Sequence, residues 1–260
     1  RLGCRVVAIN LETDGRFPRP PEPVAENLGD LGERVRKSGA HLGMAVDPDA
    51  DRLALVDETG APIGEDYTLA FAIRAVLGGP SDRPTVRPPV VVCNLSTSLV
   101  VEDAARDRGA TVVRTPVGEA HVARAMRAHH AIIGGEGNGG VIDPRLHLGR
   151  DAPLAASLVL NLLVTAGKTV SALVRSSPRY AIVKVKAARG DLGFAAWYTA
   201  IQSALPDGAP DTRDGLRLAW PDRWVHVRPS GTEPVVRVIA EARTAEEARS
   251  LVNACVKLLH

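Results

Sequence analysis

Between residues 90 and 133, short apolar runs alternate with amphipathic stretches of helical length, and no other feature limits the fold as tightly. A run of four or five apolar residues suits a strand buried on both faces. A helix between two such runs returns the chain to the same sheet. Strands are therefore expected at 90–93, 111–114 and 131–133, with helices from about 98 to 108 and 119 to 128. This is an α/β module. Ser96 and Ser98 precede the first of these helices, where a hydroxyl most often caps the helix rather than acting as a nucleophile.

The same reading extends in both directions. Upstream, 6–11 is expected as a buried strand, 24–37 as a helix closed by Gly39, and 40–46 and 53–56 as strands. Strand, helix and strand in that order suggest a right-handed βαβ crossover. A helix at 65–77 and a Pro/Gly-rich loop at 78–89 lead into the central module. That module continues through a glycine loop at 134–140 to a long apolar helix at 151–165, with Asp151 at its N-terminus. A polar linker with Pro178 follows. The last unit reads as strand 180–185, helix 194–205, strands 215–219, 224–227 and 235–240, and helix 245–259, with Thr244 and Glu247 as a capping box. The expected fold is thus two α/β domains with mixed sheets flanked by helices, at 1–62 and 63–175, followed by a smaller C-terminal α+β domain at 178–260.

Composition narrows the functional classes. The chain has 260 residues, 45% of them apolar, which supports two or three cored units. Its net charge of +2 comes from scattered Lys and Arg, so a nucleic-acid partner is not expected. Cys4, Cys93 and Cys255 lack metal-ligand spacing and read as reduced thiols of a cytoplasmic protein. No apolar run approaches ~18 residues, so membrane insertion is not expected. The chain opens on Arg1 without a methionine, which suggests that it begins inside a longer protein.

Three loops carry chemistry. Asp47-Pro48-Asp49-Ala50-Asp51-Arg52 sets carboxylates at alternate positions between two strands, and a turning backbone projects such positions to one side. This suits a hard cation such as Mg²⁺. An EF-hand is excluded because Arg52 stands where the sharp turn needs glycine, although Glu58 falls at the twelfth position. Gly134-Gly135-Glu136-Gly137-Asn138-Gly139-Gly140 formally contains G-x-G-x-x-G, but Val141-Ile142-Asp143-Pro144 cannot open the helix a dinucleotide site requires. Glu136 and Asn138 suit vicinal sugar hydroxyls instead. Arg228-Pro229-Ser230-Gly231-Thr232-Glu233-Pro234 offers a guanidinium, hydroxyls and turn N–H groups for a phosphate, with Arg237 placed to return toward it. His41 and His226 read as strand residues, and His129 with His130 as a helix end.

In this order and at this separation, D-P-D-A-D-R, G-G-E-G-N-G-G and R-P-S-G-T-E-P resemble the metal, sugar and phosphate loops of the α-D-phosphohexomutases. That family includes phosphoglucomutase, phosphomannomutase and phosphoglucosamine mutase. The resemblance implies a four-domain fold of which this chain holds the later three. It implies Mg²⁺ on Asp47, Asp49 and Asp51, and Arg52 beside the transferring phosphoryl group. Glu136 and Asn138 would grip the sugar, with many relatives carrying Ser at the latter position. Arg228, Ser230, Gly231, Thr232 and Arg237 would hold the stationary phosphate. Thr115-Pro116-Val117-Gly118 resembles another cleft loop, but Pro116 stands where many relatives have lysine. The family's reactive serine lies in a T-A-S-H-N-P-like segment that this sequence does not contain, so the missing first domain is an expected partner. Hexose phosphate and hexose bisphosphate are the expected ligands. A non-catalytic sugar-phosphate-binding protein, or an inactive fragment, is the alternative.

Overall fold

The computed structural model describes residues 2–78, 87–188, 193–230 and 234–259. Three sheets organise the described residues. The first is an antiparallel pair, β1 (Gly43–Val46) with β2 (Leu53–Val56), preceded by a 3₁₀ turn at Ala25–Asn27 and helix α1 (Gly29–Ser38). Its strands pair with each other across the aspartate loop, and the βαβ crossover expected from 6–11 through α1 to 40–46 is not formed, because its first strand is missing. Residues 6–11 form no strand: Val6 is 78% and Leu11 73% exposed. An apolar run becomes a strand only where an edge is there to receive it, and no described strand pairs with this one. His41 likewise lies in a bend before β1.

The second sheet runs β4-β3-β5-β6, where β3 is Val90–Asn94, β4 Thr111–Thr115, β5 Ile133–Glu136 and β6 Gly140–Ile142. β3 lies parallel to β4 and β5, and β6 closes the edge antiparallel, so the sheet is mixed. Val91 and Cys93 face a core built with α2 (Asp66–Leu77), α3 (Leu99–Arg106), α5 (Ala152–Ala166) and the short α6 (Val170–Arg175). Val92 faces the opposite side, against Val122 and Met126 of α4 (Glu119–His129). The period-2 alternation of one strand thereby seats helices on both faces. Leu53 and Leu55 of β2 join the first of these cores, while Ala54 and Val56 pack under α1.

The third sheet is antiparallel throughout, in the order β7 (Ala181–Ala188), β11 (Val235–Ala242), β10 (Trp224–Pro229), β9 (Leu216–Ala219) and β8 (Ala209–Asp211). Helices α7 (Phe194–Ala204) and α8 (Ala245–Lys257) cover one face, where Trp197, Ile201, Val252 and Cys255 pack on Val225, Val227, Val236 and Val238. Thr244 caps α8 by accepting from the Glu247 amide. The other face of the sheet turns toward the second unit and is polar.

Candidate active site

The aspartate loop folds as the spacing suggests. Carboxylate oxygens of Asp47, Asp49 and Asp51 all lie within 4.8 Å of one another. The turn needs Ala50 in the left-handed region, at φ 56°, a conformation a residue with a Cβ rarely holds unless its surroundings fix it. Those surroundings are visible. The Ala50 carbonyl accepts from the amide of Ala152, the first residue of α5, and the Leu53 amide donates to Gly139 O at 3.0 Å. Asp47 Oδ1 accepts from the amides of Asp51 and Arg52, and Oδ2 from Arg52 Nε at 2.5 Å. Burial would lift the Asp47 carboxyl, but these bonds outweigh it and hold it below the usual range. Burial, with Asp47 and Asp49 beside it, pushes Asp51 up to about 6 despite the nearby Arg150. Asp51 Oδ1 is buried without a hydrogen-bond partner. Its ion pair with Arg52 Nε is long, at 3.6 Å, and a carboxylate oxygen without a hydrogen bond among three carboxylates is a fit for a divalent cation. Arg52 Nη1 reaches Glu22 at 2.9 Å, so Arg52 is held between Asp47 and Glu22. Glu58, the residue that would have completed an EF-hand, instead accepts from the Ser171 hydroxyl and amide at the start of α6.

Glu136 ends β5, buried at 3% exposure. Its Oε1 accepts from Asn94 Nδ2 at 2.8 Å and from the Gly118 amide at 2.9 Å, and its Oε2 from Arg150 Nη1 at 2.7 Å. Asn138 Oδ1 turns back to accept from the Gly140 amide, which shapes the glycine loop. That loop is a β5–β6 hairpin, as the rejection of a dinucleotide fold requires.

In the third sheet, cross-strand register puts Arg228 opposite Arg237, and Arg237 opposite Lys186. Cross-strand partners share a face, so three cations form one row on the polar side. Arg228 Nε is buried without a hydrogen-bond partner. The Ser230 amide donates to Val235 O. Gly231 and Thr232 lie outside the described residues. On the same face, His226 Nε2 donates to Asp214 O at 2.6 Å and Nδ1 accepts from Ser96 Oγ at 2.8 Å. Burial lowers the His226 pKa and keeps the ring neutral, consistent with this pattern of bonds. Ser98 is the cap expected for α3, accepting from the Val100 amide.

Sequence reasoning missed Arg150, Asn94 and Asp214. Arg150 sits in His147-Leu148-Gly149-Arg150-Asp151, which matches no motif, and its importance lies in two carboxylates far away along the chain. The loop at 115–118 contributes through its backbone, since the Val117 amide donates to Asp214 Oδ2 and the Gly118 amide to Glu136.

Asp66 lies behind the glycine loop, where a side chain at Gly137 would overlap its Oδ1, and it accepts from the Ser98 amide. Burial pushes its pKa up to about 7. A carboxyl whose pKa is higher folded than unfolded stabilises the fold fully below about pH 4, and that contribution is lost as pH rises to about 7. Asp66→Asn, which keeps the accepting oxygen, is therefore expected to raise the melting temperature at pH 8 and to change it little at pH 4, as scanning calorimetry at both values would register.

The architecture is that of an α/β protein with three sheets flanked by helices, in which the aspartate loop is hydrogen-bonded to the glycine loop. Models of the phosphoglucomutase/phosphomannomutase family match in three successive pieces: α/β/α domain II over residues 1–60, α/β/α domain III over 65–180, and the C-terminal domain over 183–258. The chain belongs to this family, the α-D-phosphohexomutases. It is 39% identical over 261 residues to the probable phosphoglucosamine mutase of Methanopyrus kandleri, covering 99% of this chain and 56% of that protein. It is 40% identical over 264 residues to the phosphoglucomutase/phosphomannomutase of Thermococcus kodakarensis, with the same coverage of 99% and 56%. The chain thus spans a little over half the length of these relatives. A phosphoglucomutase/phosphomannomutase family protein from Burkholderia thailandensis has the same fold, with a TM-score of 0.74 at 24% identity over 92% of this chain and 51% of that one. Among the described residues, no helix is long and apolar enough to cross a membrane.

Proposed function

We propose that this chain supplies the metal, sugar and phosphate subsites of a phosphohexomutase that interconverts hexose 1- and 6-phosphates through a phosphoserine and a hexose bisphosphate. The observation that carries this reading is the direct bonding of the aspartate loop to the glycine loop, through Leu53 and Gly139 and through Arg150 between Asp51 and Glu136. Carboxylates that would hold a cation are thereby tied to the carboxylate that would hold a sugar hydroxyl, and phosphoryl transfer requires the two groups to be positioned together. The units serving these roles are taken as residues 1–62, 63–175 and 178–260, in a cytoplasmic protein.

Asp47, Asp49 and Asp51 would hold Mg²⁺, which when bound supplies Lewis-acid neutralisation of phosphoryl charge. Glu136 orients the sugar, because its carboxylate is fixed by three donors and keeps about one of its four lone-pair sites for a hydroxyl. Asn138 lies beside it in the same loop. Arg228, Arg237, Ser230, Gly231 and Thr232 hold the phosphate that stays in place, and Arg52 stabilises the one that moves. The sequence contains no T-A-S-H-N-P-like segment, so the serine nucleophile is assigned to a partner domain. Its phosphoryl group passes to the free hydroxyl of the hexose phosphate. The bisphosphate then reorients and returns its other phosphoryl group to the serine.

The test joins this chain to a domain that carries the serine segment. Mg²⁺-dependent interconversion of hexose 1- and 6-phosphate is expected, and a well-folded but inactive assembly would sink the proposal. Arg228→Ala should weaken hexose phosphate binding by roughly 10- to 100-fold, the scale of a lost charge-assisted bidentate contact, read by calorimetric titration. Which hexose is taken depends on pocket shape around C2.

A further inference from the structure

Arg150 bridges two subsites. Nη2 pairs with Asp51 Oδ2 at 2.5 Å and Nη1 with Glu136 Oε2 at 2.7 Å, and the residue's own amide donates to Glu119 Oε1 at 2.7 Å. Its side chain is only 17% exposed. A guanidinium presents its donors in a planar fork, so one carboxylate on each arm fixes the plane, and the plane in turn fixes both carboxylates. The arm reaches Asp51 by crossing Gly140, where any Cβ would overlap Arg150 Cδ. Gly140 also forms the bridge to Arg52. The glycine is thus needed for the arginine's path.

With Oδ2 held by Arg150, Asp51 leaves Oδ1 without a hydrogen bond, 3.6 Å from Arg52 Nε of the same loop. We propose that Arg150 is a positioning residue that couples the aspartate loop to the glycine loop, so that the loop's affinity for a divalent cation depends on Glu136, a residue outside the Asp47–Asp51 cluster. This rests on the metal role assigned to Asp47, Asp49 and Asp51 above. Partners that orient a metal ligand from behind typically contribute tenfold or more to affinity.

The experiment titrates the full chain with Mn²⁺ alone, following free Mn²⁺ by electron paramagnetic resonance, with thermal melts as a check on folding. Arg150→Met is expected to weaken Mn²⁺ binding by about tenfold or more. Gly140→Ala, which keeps the arginine but blocks its path, should weaken it in the same direction, and it decides the matter if Arg150→Met does not fold. Arg150→Lys, which keeps the charge without the fork, should recover only part of the loss. Glu136→Gln should shift Mn²⁺ affinity in the wild-type background and leave it unchanged in Arg150→Met, the signature of coupling through the arginine. Unchanged or tighter binding in Arg150→Met, full recovery by lysine, or the same Glu136→Gln effect in both backgrounds would overturn the inference alone. A wild-type chain whose Mn²⁺ binding is indifferent to Asp49→Asn would overturn the metal assignment, and the inference with it.

Discussion

Glu241→Ala is expected to lower the melting temperature by roughly 6–12 °C, the scale of a loss of about 3 kcal/mol in a chain of this size. Glu241 is fully buried on the polar face of the third sheet, yet every oxygen has a donor. Oε1 accepts from the Ser98 hydroxyl, and Oε2 from the Leu99 amide at 2.8 Å and Trp224 Nε1 at 2.6 Å. Truncation strands all three donors at the junction between α3 and the sheet, and each buried donor left unmade costs about 1–3 kcal/mol. Burial already raises the Glu241 pKa, so its charge contributes little that a neutral acceptor could not. Glu241→Gln is therefore expected to retain most of the stability, its oxygen serving Leu99 and Trp224 while its amide faces Ser98. Thermal melts of the two variants check this, and an equal loss in both would show that the charge itself holds the junction.

Gly139→Ala is expected to damage the junction of the two loops. Gly139 has φ 90°, outside the range an L-residue holds without strain, and a Cβ there would lie 2.5 Å from Leu53 O. Backbone strain of about 1–3 kcal/mol adds to the loss of the Leu53–Gly139 hydrogen bond, worth about 1 kcal/mol. The methyl also pushes the aspartate loop off the glycine loop. Urea denaturation should show a drop of about 2–4 kcal/mol. Wild-type stability in this variant would mean that the loops are free to separate.

Most of the strands and helices from β3 onward were legible because they carry their own local signals: apolar runs of strand length, and Ser98, Asp151 and Thr244 as caps. The three loops were legible for the same reason, since their chemistry is written in consecutive residues. Residues 6–11 misled because a strand is a property of a pair, and pairing is not local. Short β8 and α6 carry too few residues for a period to register. Arg150 and Asp66 escaped because each matters through residues far off in sequence, Asp51 and Glu136 for one, Ser98 and Gly137 for the other. An isolated arginine before an aspartate looks like any surface residue.

One unbroken run of polar contacts crosses the molecule: Asp51 to Arg150, to Glu136, to Asn94, to the Ser96 amide, and through the Ser96 hydroxyl to His226 and the Asp214 carbonyl. It joins the aspartate loop to the cationic sheet without an apolar link. Apolar contacts tolerate exchange of one side chain for another of similar volume, whereas each member of this run must match the donor or acceptor sense of the next. These positions should therefore drift through evolution as a set, with a change at Asn94 or His226 answered at its neighbour, while the apolar residues around them vary independently.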